Sequence, residues 1–508
     1  MKELLNPAVL TAYYSILGIL ALYGCHRALL LALYYRTRHR NPPTPPDPGD
    51  WPTVTVQLPL YNELYVAERL IRAVVGLDYP RHKLEIQVLD DSTDETREIV
   101  ARAVAEHRRA GVDIIHLHRR DRTGFKAGAL AAGLARARGE LVTVLDADFV
   151  PQPEYLKLLV PHFADPEIGM VQARWGHINR DYSLLTRIQA VLLDGHFRIE
   201  HAARHRSGRF FNFNGTAGIW RRRAIEEAGG WEHDTLTEDL DLSFRAQLAG
   251  WRFLFLPEIE VPAELPVEIN AFKRQQFRWA KGSIQTGRKL LRRILAAPLP
   301  LKIKLEALIH LTNNFCYVLM VGVSLLVYPA MVVRRGSEAW ALLLIDTPFF
   351  VCATVSVLAF YFASQLAAGR GRWRAFKSLV PVLGLGIGLA VSNSRAVLQG
   401  LRRDVGVFER TPKYRIEKTA DRWKGKKYLV RGHLSMFLEG LLAAWFAYAF
   451  LRASLSGMWM SLPFLWLFLQ GYVYVFLLSL HSVTAGWRPF RWLLRRPAPS
   501  PSPSRDLP

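Results

Sequence analysis

Long apolar runs at both ends of the chain limit its fold more than any other feature. Ala8–Tyr35 is broken only by His26-Arg27, and residues 306–333, 340–366 and 460–484 are comparably long and apolar. A helix needs about 20 such residues to cross a bilayer, and within lipid its backbone must satisfy its own hydrogen bonds. These runs, with a shorter one at 434–451, are expected to be spanning helices. Ser378–Leu401 differs, because Pro381, Gly384, Gly386 and Gly388 interrupt it and it turns amphipathic at Ser392-Asn-Ser-Arg395. If it spanned, the basic stretches Arg370–Lys377 and Arg402–Lys427 would face opposite sides. If it is re-entrant or interfacial, both face the cytoplasm together with Arg488–Arg496. The expectation is five spans and one interfacial segment.

Charge enters at this point. The formal net charge is +22, from 66 Lys+Arg against 44 Asp+Glu. In a soluble protein that excess would suggest nucleic acid. Here much of it flanks apolar segments, including Arg36-Thr-Arg38-His-Arg40, where it orients spans and attracts anionic headgroups. Membrane lipids are the expected partner and nucleic acid is not. Leu22-Tyr-Gly-Cys25 resembles a lipoprotein cleavage box, but the apolar run continues past it, which favours an uncleaved anchor. The three cysteines, Cys25, Cys316 and Cys352, lie inside apolar segments and offer no disulfide framework or C-x-x-C site.

The chain divides as follows. Residues 1–40 form an N-terminal anchor, 41–52 a linker with six prolines, and 53–265 a soluble domain. Residues 266–304 are interfacial helices, 305–366 a transmembrane hairpin and 377–401 the re-entrant or interfacial helix. Residues 402–432 make a cytosolic loop, 433–486 a second hairpin and 487–508 a basic, Pro/Ser-rich tail expected to be disordered. Basic residues follow the anchor, so the soluble domain is expected on the cytoplasmic side, with a bacterial plasma (inner) membrane as the location.

Within the soluble part, strands at 53–58, 83–89, 113–118 and 140–145 alternate with helical patterns at 66–77, 95–109 and 126–138. That alternation predicts a mostly parallel, Rossmann-like α/β sheet, which binds ligands beyond the carboxyl ends of its strands. Asp90-Asp91 and Asp146-Ala-Asp148 fall there. Carboxylates leaving a strand can hold a hard divalent cation that bridges nucleotide phosphates; alternatively such aspartates simply cap turns, and Asp91 or Ser92 could cap the next helix. Lys126, where a loop enters a helix, suits a diphosphate or is an exposed lysine. Glu238-Asp239, in Thr237-Glu-Asp-Leu-Asp241, is either a capped helix start or a general base for an incoming hydroxyl. Gln275-x-x-Arg278-Trp279 places an amide, a cation and a ring within about one helical turn. It can face a sugar and a phosphate or anchor a helix at the membrane surface. His201 and His205 lack the H-E-x-x-H glutamate, so a zinc site is not expected there.

In this order, D, D-x-D, T-E-D and Q-x-x-R-W between membrane helices resemble the processive family 2 glycosyltransferases. The likeness is greatest to the cellulose synthase-like A branch with its glucomannan 4-β-mannosyltransferases. Gln57–Glu63, Ile86–Asp94, Val171–Trp175, Phe213–Gly218 and Ala228–Trp231 support it. The resemblance implies a GT-A-type domain, a nucleotide-sugar donor (GDP-mannose or UDP-glucose), Mg2+ or Mn2+, and a growing β-linked, β-1,4 polysaccharide made with inversion. It implies Asp239 as catalytic base and Asp148 at the metal. Glu63, Asp91, Lys126, Asp146, Arg278 and Lys413 would lie on the nucleotide and diphosphate side, and Gln275, Trp279 and Glu238 on the acceptor side. Phe408-Glu-Arg-Thr-Pro-Lys413 resembles the F-x-V-T-x-K gating loop of cellulose synthases, with Arg410 where valine is usual. Two rival readings remain: transfer of one sugar to a lipid, as in ceramide glucosyltransferase-like proteins, and an inactive sugar-nucleotide-binding scaffold or export channel.

Overall fold

Strand-forming sequence sets the centre of the molecule. In the computed structural model, which describes residues 2–40, 42–43, 45–335, 339–428 and 434–486, seven strands form one sheet. They are β1 (Val54–Leu60), β2 (Leu84–Asp90), β3 (Ile114–His118), β4 (Leu141–Val144), β5 (Ile168–His177), β6 (Gly218–Arg221) and β7 (Arg252–Ala263). The order is β3-β2-β1-β4-β6-β5-β7. Strands β3, β2, β1 and β4 run parallel, β7 runs parallel to β5, and β6 is antiparallel to both its neighbours.

Alternation explains why β1 sits centrally. Val54, Val56 and Leu58 face one apolar layer and are fully buried. Gln57, on the opposite face, donates to the Gln87 amide oxygen of β2 at 3.1 Å, linking the two strands through a buried side-chain bond. Helices Ala67–Val75 and Thr96–Arg109 pack their apolar stripes over the first layer. Register pairs Leu60 with Asp90 and Gln57 with Val144. The acidic residues following β2 and β4 therefore emerge at the same edge of the sheet. The expected parallel α/β reading holds for the first four strands, and the reversed β6 makes the whole a mixed, GT-A-like sheet.

Among the described residues, five helices are long and apolar enough to cross a membrane: Asn6–Thr37, Phe315–Val333, Leu344–Ala367, Leu434–Leu455 and Trp459–Val483. The expected run at 306–333 is broken at Asn313-Asn314 into helices Leu301–Thr312 and Phe315–Val333. Glu306, at the start of the expected run, is buried 2.8 Å from Arg204 and 3.1 Å from His26, so the first of these helices packs on charged side chains of the sheet-bearing part and the N-terminal helix. The difficult segment at 377–401 comprises helices Arg372–Gly388 and Ala390–Gly400, bent by 48°. The tail at 487–508 lies outside the described residues.

Helix Ile269–Ala296 joins the two parts. Gly282 lets it approach the soluble domain, since a Cβ there would stand 2.5 Å from the Thr237 side chain. Its Lys273 is buried at 2.6–2.7 Å from both Glu439 oxygens and 2.7 Å from Ser479 Oγ, on the two C-terminal helices. Removing one partner would leave a buried charge uncompensated.

Candidate active site

Residues leaving the strand ends meet three other segments in one cleft. Asp91, Asp146 and Asp148 come from the ends of β2 and β4, Lys126 from helix Phe125–Leu134, and Glu238-Asp239 from the start of helix Glu238–Leu248. Gln275, Arg278 and Trp279 enter from helix Ile269–Ala296, and Phe408, Arg410, Thr411 and Lys413 from the 402–432 loop. Glu63 also lines the cleft. Every residue that the resemblance assigned to the site lines this one cleft, whereas the strand-end Asp90 does not.

Asp146 Oδ1 lies 2.6 Å from Lys126 Nζ, which also donates to the Gly215 carbonyl at 2.9 Å. Gly124, at φ +73°, makes the turn that sends Lys126 inward. Asp148 Oδ1 is 2.5 Å from Lys413 Nζ. Asp91 is clamped by Arg119 at 2.8 and 2.6 Å. Asp90 turns away from the cleft and takes His116 at 2.9 Å and the Ser92 backbone N–H at 2.8 Å. Neighbouring cations and donors thus relieve the repulsion between the two acidic strand ends. Neither Asp91 nor Ser92 caps the following helix; Asp94 accepts from the Thr96 backbone N–H at 3.0 Å instead.

The TED segment corrects another expectation. Thr237 stands at the helix N-cap but makes no side-chain cap bond. Its hydroxyl is buried, 3.4 Å from the Thr286 hydroxyl, so the capping box does not form. Glu238 and Asp239 follow it into the cleft. Burial, then the adjacent Glu238 charge, pushes the Asp239 carboxyl up to about 7. Burial likewise raises Glu238, against relief from Lys126 3.9 Å away. Glu63 is also pushed up to about 7 by burial, which Arg410 at 3.2 Å and Lys413 only partly offset. A carboxylate balanced near neutral pH is suited to taking up a proton.

The loop closes the cleft. Its base is packed by buried Tyr414, Ile416 and Trp423 against Val267, and Glu264 accepts the Tyr414 backbone N–H at 2.9 Å. Arg278 donates to the Glu409 carbonyl at 2.8 Å and lies 4.5 Å from the Phe408 ring. Phe408 stacks on Phe125 at 6.2 Å. The space left is about 140 Å³. Phe408, Arg410, Thr411 and Lys413 are the loop side chains that bound it.

Some cleft residues escaped the sequence reading. Arg122 lies 3.4 Å from the Tyr61 ring centroid, and Arg119 holds Asp91. Both arginines follow β3, and basic residues just past a strand end were the available signal. The Trp175 and Trp279 ring centroids lie 6.3 Å apart, so two rings rather than one line that side of the cleft. Asn214 lines the cleft beside Gly215, whose Cα hydrogen faces Asp239: a Cβ there would stand 2.8 Å from Asp239 Oδ2.

Residues 52–282 match the family described as glycosyltransferase-like family 2. The matched residues take in the seven-stranded sheet and the start of helix Ile269–Ala296. It is 44% identical over 252 residues to glucomannan 4-beta-mannosyltransferase 2 of Arabidopsis thaliana, covering 49% of this chain and 47% of the relative. It is 40% identical over 288 residues to glucomannan 4-beta-mannosyltransferase 1 of Oryza sativa subsp. japonica, covering 55% of each. The chain thus spans about half the length of the curated relatives it matches. A solved mannosyltransferase of Pyrobaculum calidifontis, in complex with GDP-Man and Mn2+, is 24% identical with a TM-score of 0.49, over 72% of this chain and 98% of that one. The relatives named from the curated proteins are from plants and lend no support to a bacterial plasma membrane.

A hard divalent cation fits this cleft. Asp148 is buried with a cationic ammonium on its carboxylate, which marks a place where positive charge is needed. Mg2+-type ions are commonly held by one or two carboxylates plus substrate phosphates and water, and Asp146 and Asp148 supply that number. Among the described residues, the three-ligand clusters lie elsewhere, at Asp90/His116/His118 and Glu232/Asp234/Asp241.

Proposed function

We propose that the chain is a multi-pass membrane enzyme that transfers a hexose from a nucleotide sugar to a growing β-linked polysaccharide, with inversion. The observation that carries this reading is the placement of Asp239. Its carboxyl, pushed up to about 7, shares one cleft with Lys126, Asp146 and Asp148 on one side and Gln275, Arg278 and Trp279 on the other. The relatives' names favour a mannosyl donor and a β-1,4-linked product over a glucosyl one.

Asp239 takes the proton of an acceptor hydroxyl as that oxygen bonds to the anomeric carbon. The bond from that carbon to the diphosphate breaks, and its electron pair leaves with the nucleoside diphosphate. A single displacement turns an α-linked donor into a β-linkage. Lys126 and Arg278 meet the charge that develops on the leaving group. Mg2+ or Mn2+ held by Asp148, with Asp146 beside it, would neutralise the diphosphate. Trp279 and Trp175 offer apolar faces to the acceptor rings, with Gln275 and Glu238 beside them. Asp91, Glu63 and Lys413 stand on the nucleotide side, and the 402–432 loop must shift to admit the donor. The five apolar helices are read as spans that hold this cleft against the membrane.

The test is a donor panel. Purified membranes containing the chain are incubated with GDP-mannose, UDP-glucose and related donors, and the product is sized and digested with mannanase or cellulase. A mannanase-sensitive polymer is expected. Release of no nucleotide from any donor overturns transferase activity, and a single-sugar lipid product overturns polymer extension.

A further inference from the structure

Two histidines on the edge strand converge on a buried carboxylate that the transfer step leaves unused. β3 is the outermost strand of the sheet, and Ile114, His116 and His118 alternate onto one of its faces. Ile114 joins the apolar layer there, and the two histidines carry the same face on to the strand end. Register sets His118 beside Asp90 and His116 beside Val88 of β2, so both rings reach Asp90. The Asp90 side chain is fully buried, whereas those of His116 and His118 are 16% and 20% exposed. None of the three lines the cleft.

Their ligand atoms stand as a small cation would hold them. Asp90 Oδ2 lies 2.9 Å from His116 Nε2 and 3.7 Å from His118 Nδ1, and all three atoms fall within 4.8 Å of one another. Zn2+ takes imidazole nitrogen at about 2.0–2.1 Å and carboxylate oxygen at about 2.0–2.2 Å in a tetrahedral shell. Neighbouring ligand atoms of such a shell are about 3.3–3.5 Å apart, a value between the two distances to Asp90. A hydrogen bond from His116 to Asp90 accounts for only half of the arrangement. His118 Nδ1 is buried and has no hydrogen-bond partner among the described residues. Asp90 has no lysine or arginine partner among them either, and its other oxygen accepts the Ser92 backbone N–H at 2.8 Å. The cluster of Glu232, Asp234 and Asp241 differs. There Lys289 Nζ stands 2.5–3.0 Å from an oxygen of each carboxylate, so an ammonium already fills the centre.

We propose that Asp90, His116 and His118 bind Zn2+ as three protein ligands, with water in the fourth position on the exposed side, and that the ion clips β3 to β2. Two imidazoles and one carboxylate suit zinc, whereas Mg2+ calls for an oxygen shell. Both histidines are neutral in the zinc form, and His116 Nε2 offers the ion a lone pair in place of its hydrogen bond to Asp90. Arg119, next after His118, clamps Asp91 at 2.8 and 2.6 Å, so the ion fixes the two strand ends that carry this clamp. The site is separate from Asp146 and Asp148 and goes beyond the glycosyl-transfer reading.

The untagged full-length chain in detergent micelles tests this. It is stripped with a chelator, dialysed, and titrated with Zn2+ against a chromophoric competitor. One zinc per chain is expected, with an affinity that Asp148→Asn leaves unaltered, and Co2+ in its place should show the visible bands of four-coordinate cobalt. His118→Ala should weaken zinc binding by more than the roughly 10–100-fold that loss of a second-shell partner costs. His116→Gln keeps an N–H for Asp90 but loses the imidazole. It should lose zinc in the same way, and it serves if His118→Ala fails to accumulate. Zinc should also slow amide hydrogen exchange across Ile114–His118 in the wild type and not in His118→Ala. A wild type that binds no zinc, equal affinity in the histidine variants, or loss of zinc in Asp148→Asn overturns the site. Exchange in β3 that is indifferent to bound zinc overturns the clip.

Discussion

The acidic residues of the cleft arrive on two kinds of backbone, and their surroundings differ accordingly. Asp91, Asp146 and Asp148 leave sheet strands and each meets a cation directly: Arg119, Lys126 and Lys413. Glu238 and Asp239 begin a buried helix, and the nearest ammonium stands 3.9 Å from Glu238. The first set stays paired and suits binding of a metal and diphosphate. The second is buried with a like charge alongside, which pushes Asp239 up to about 7. One cleft therefore holds both charge-paired carboxylates and a buried carboxyl poised near neutral pH.

Asp239→Asn breaks this contrast most severely. It should lower transfer by about 10²–10⁴-fold while nucleotide binding, measured by calorimetry, persists; near-normal turnover would remove Asp239 from the base role. Chelation with EDTA comes next. It should stop transfer in the wild type, with Mg2+ or Mn2+ restoring it, and Asp148→Asn should need more metal for the same rate. Turnover indifferent to chelation would assign the strand-end carboxylates to something other than a cation.

The pH profile sharpens the comparison further. Below about 7, Asp239 is protonated and cannot take a proton, so kcat should fall as pH drops through that value. Glu238→Gln removes the adjacent like charge, which lowers the Asp239 pKa, so the acid limb should move to lower pH. A limb that stays in place would separate the two carboxylates. The smallest effect is expected from Arg410→Val. That change deletes the cation 3.2 Å from buried Glu63, and donor KM should change by only about two- to fivefold, as for one partly screened ion pair.

Local patterning made much of this legible. The Val54–Leu60 and Leu84–Asp90 alternation announced strands to within two residues, because side-chain period is a local property. The chemistry-bearing residues were legible too, since strand ends and helix starts put them where ligands bind. Contacts between distant segments were not. Asp148 and Lys413 are 265 positions apart, and no local signal reports that the loop ammonium lies on that carboxylate. The Thr237 cap fails for a similar reason, because Gly282 and Thr286 of a distant helix crowd its side chain. The partners of buried Glu306, Arg204 and His26, lie far away in sequence and were equally invisible to hydropathy.

The sequence by itself determined a parallel α/β core, a set of apolar helices around it and the residue types of a sugar-transfer cleft. Those follow from periodicity, run length and the chemistry of side chains at element ends. Tertiary structure alone decided which carboxylates are paired with cations and which are left buried, that Phe408–Lys413 line the cleft, and that Arg27 of the N-terminal helix pairs with Glu200. Each depends on desolvation and on charges brought within about 4 Å, where the protein interior strengthens them well beyond their worth in water.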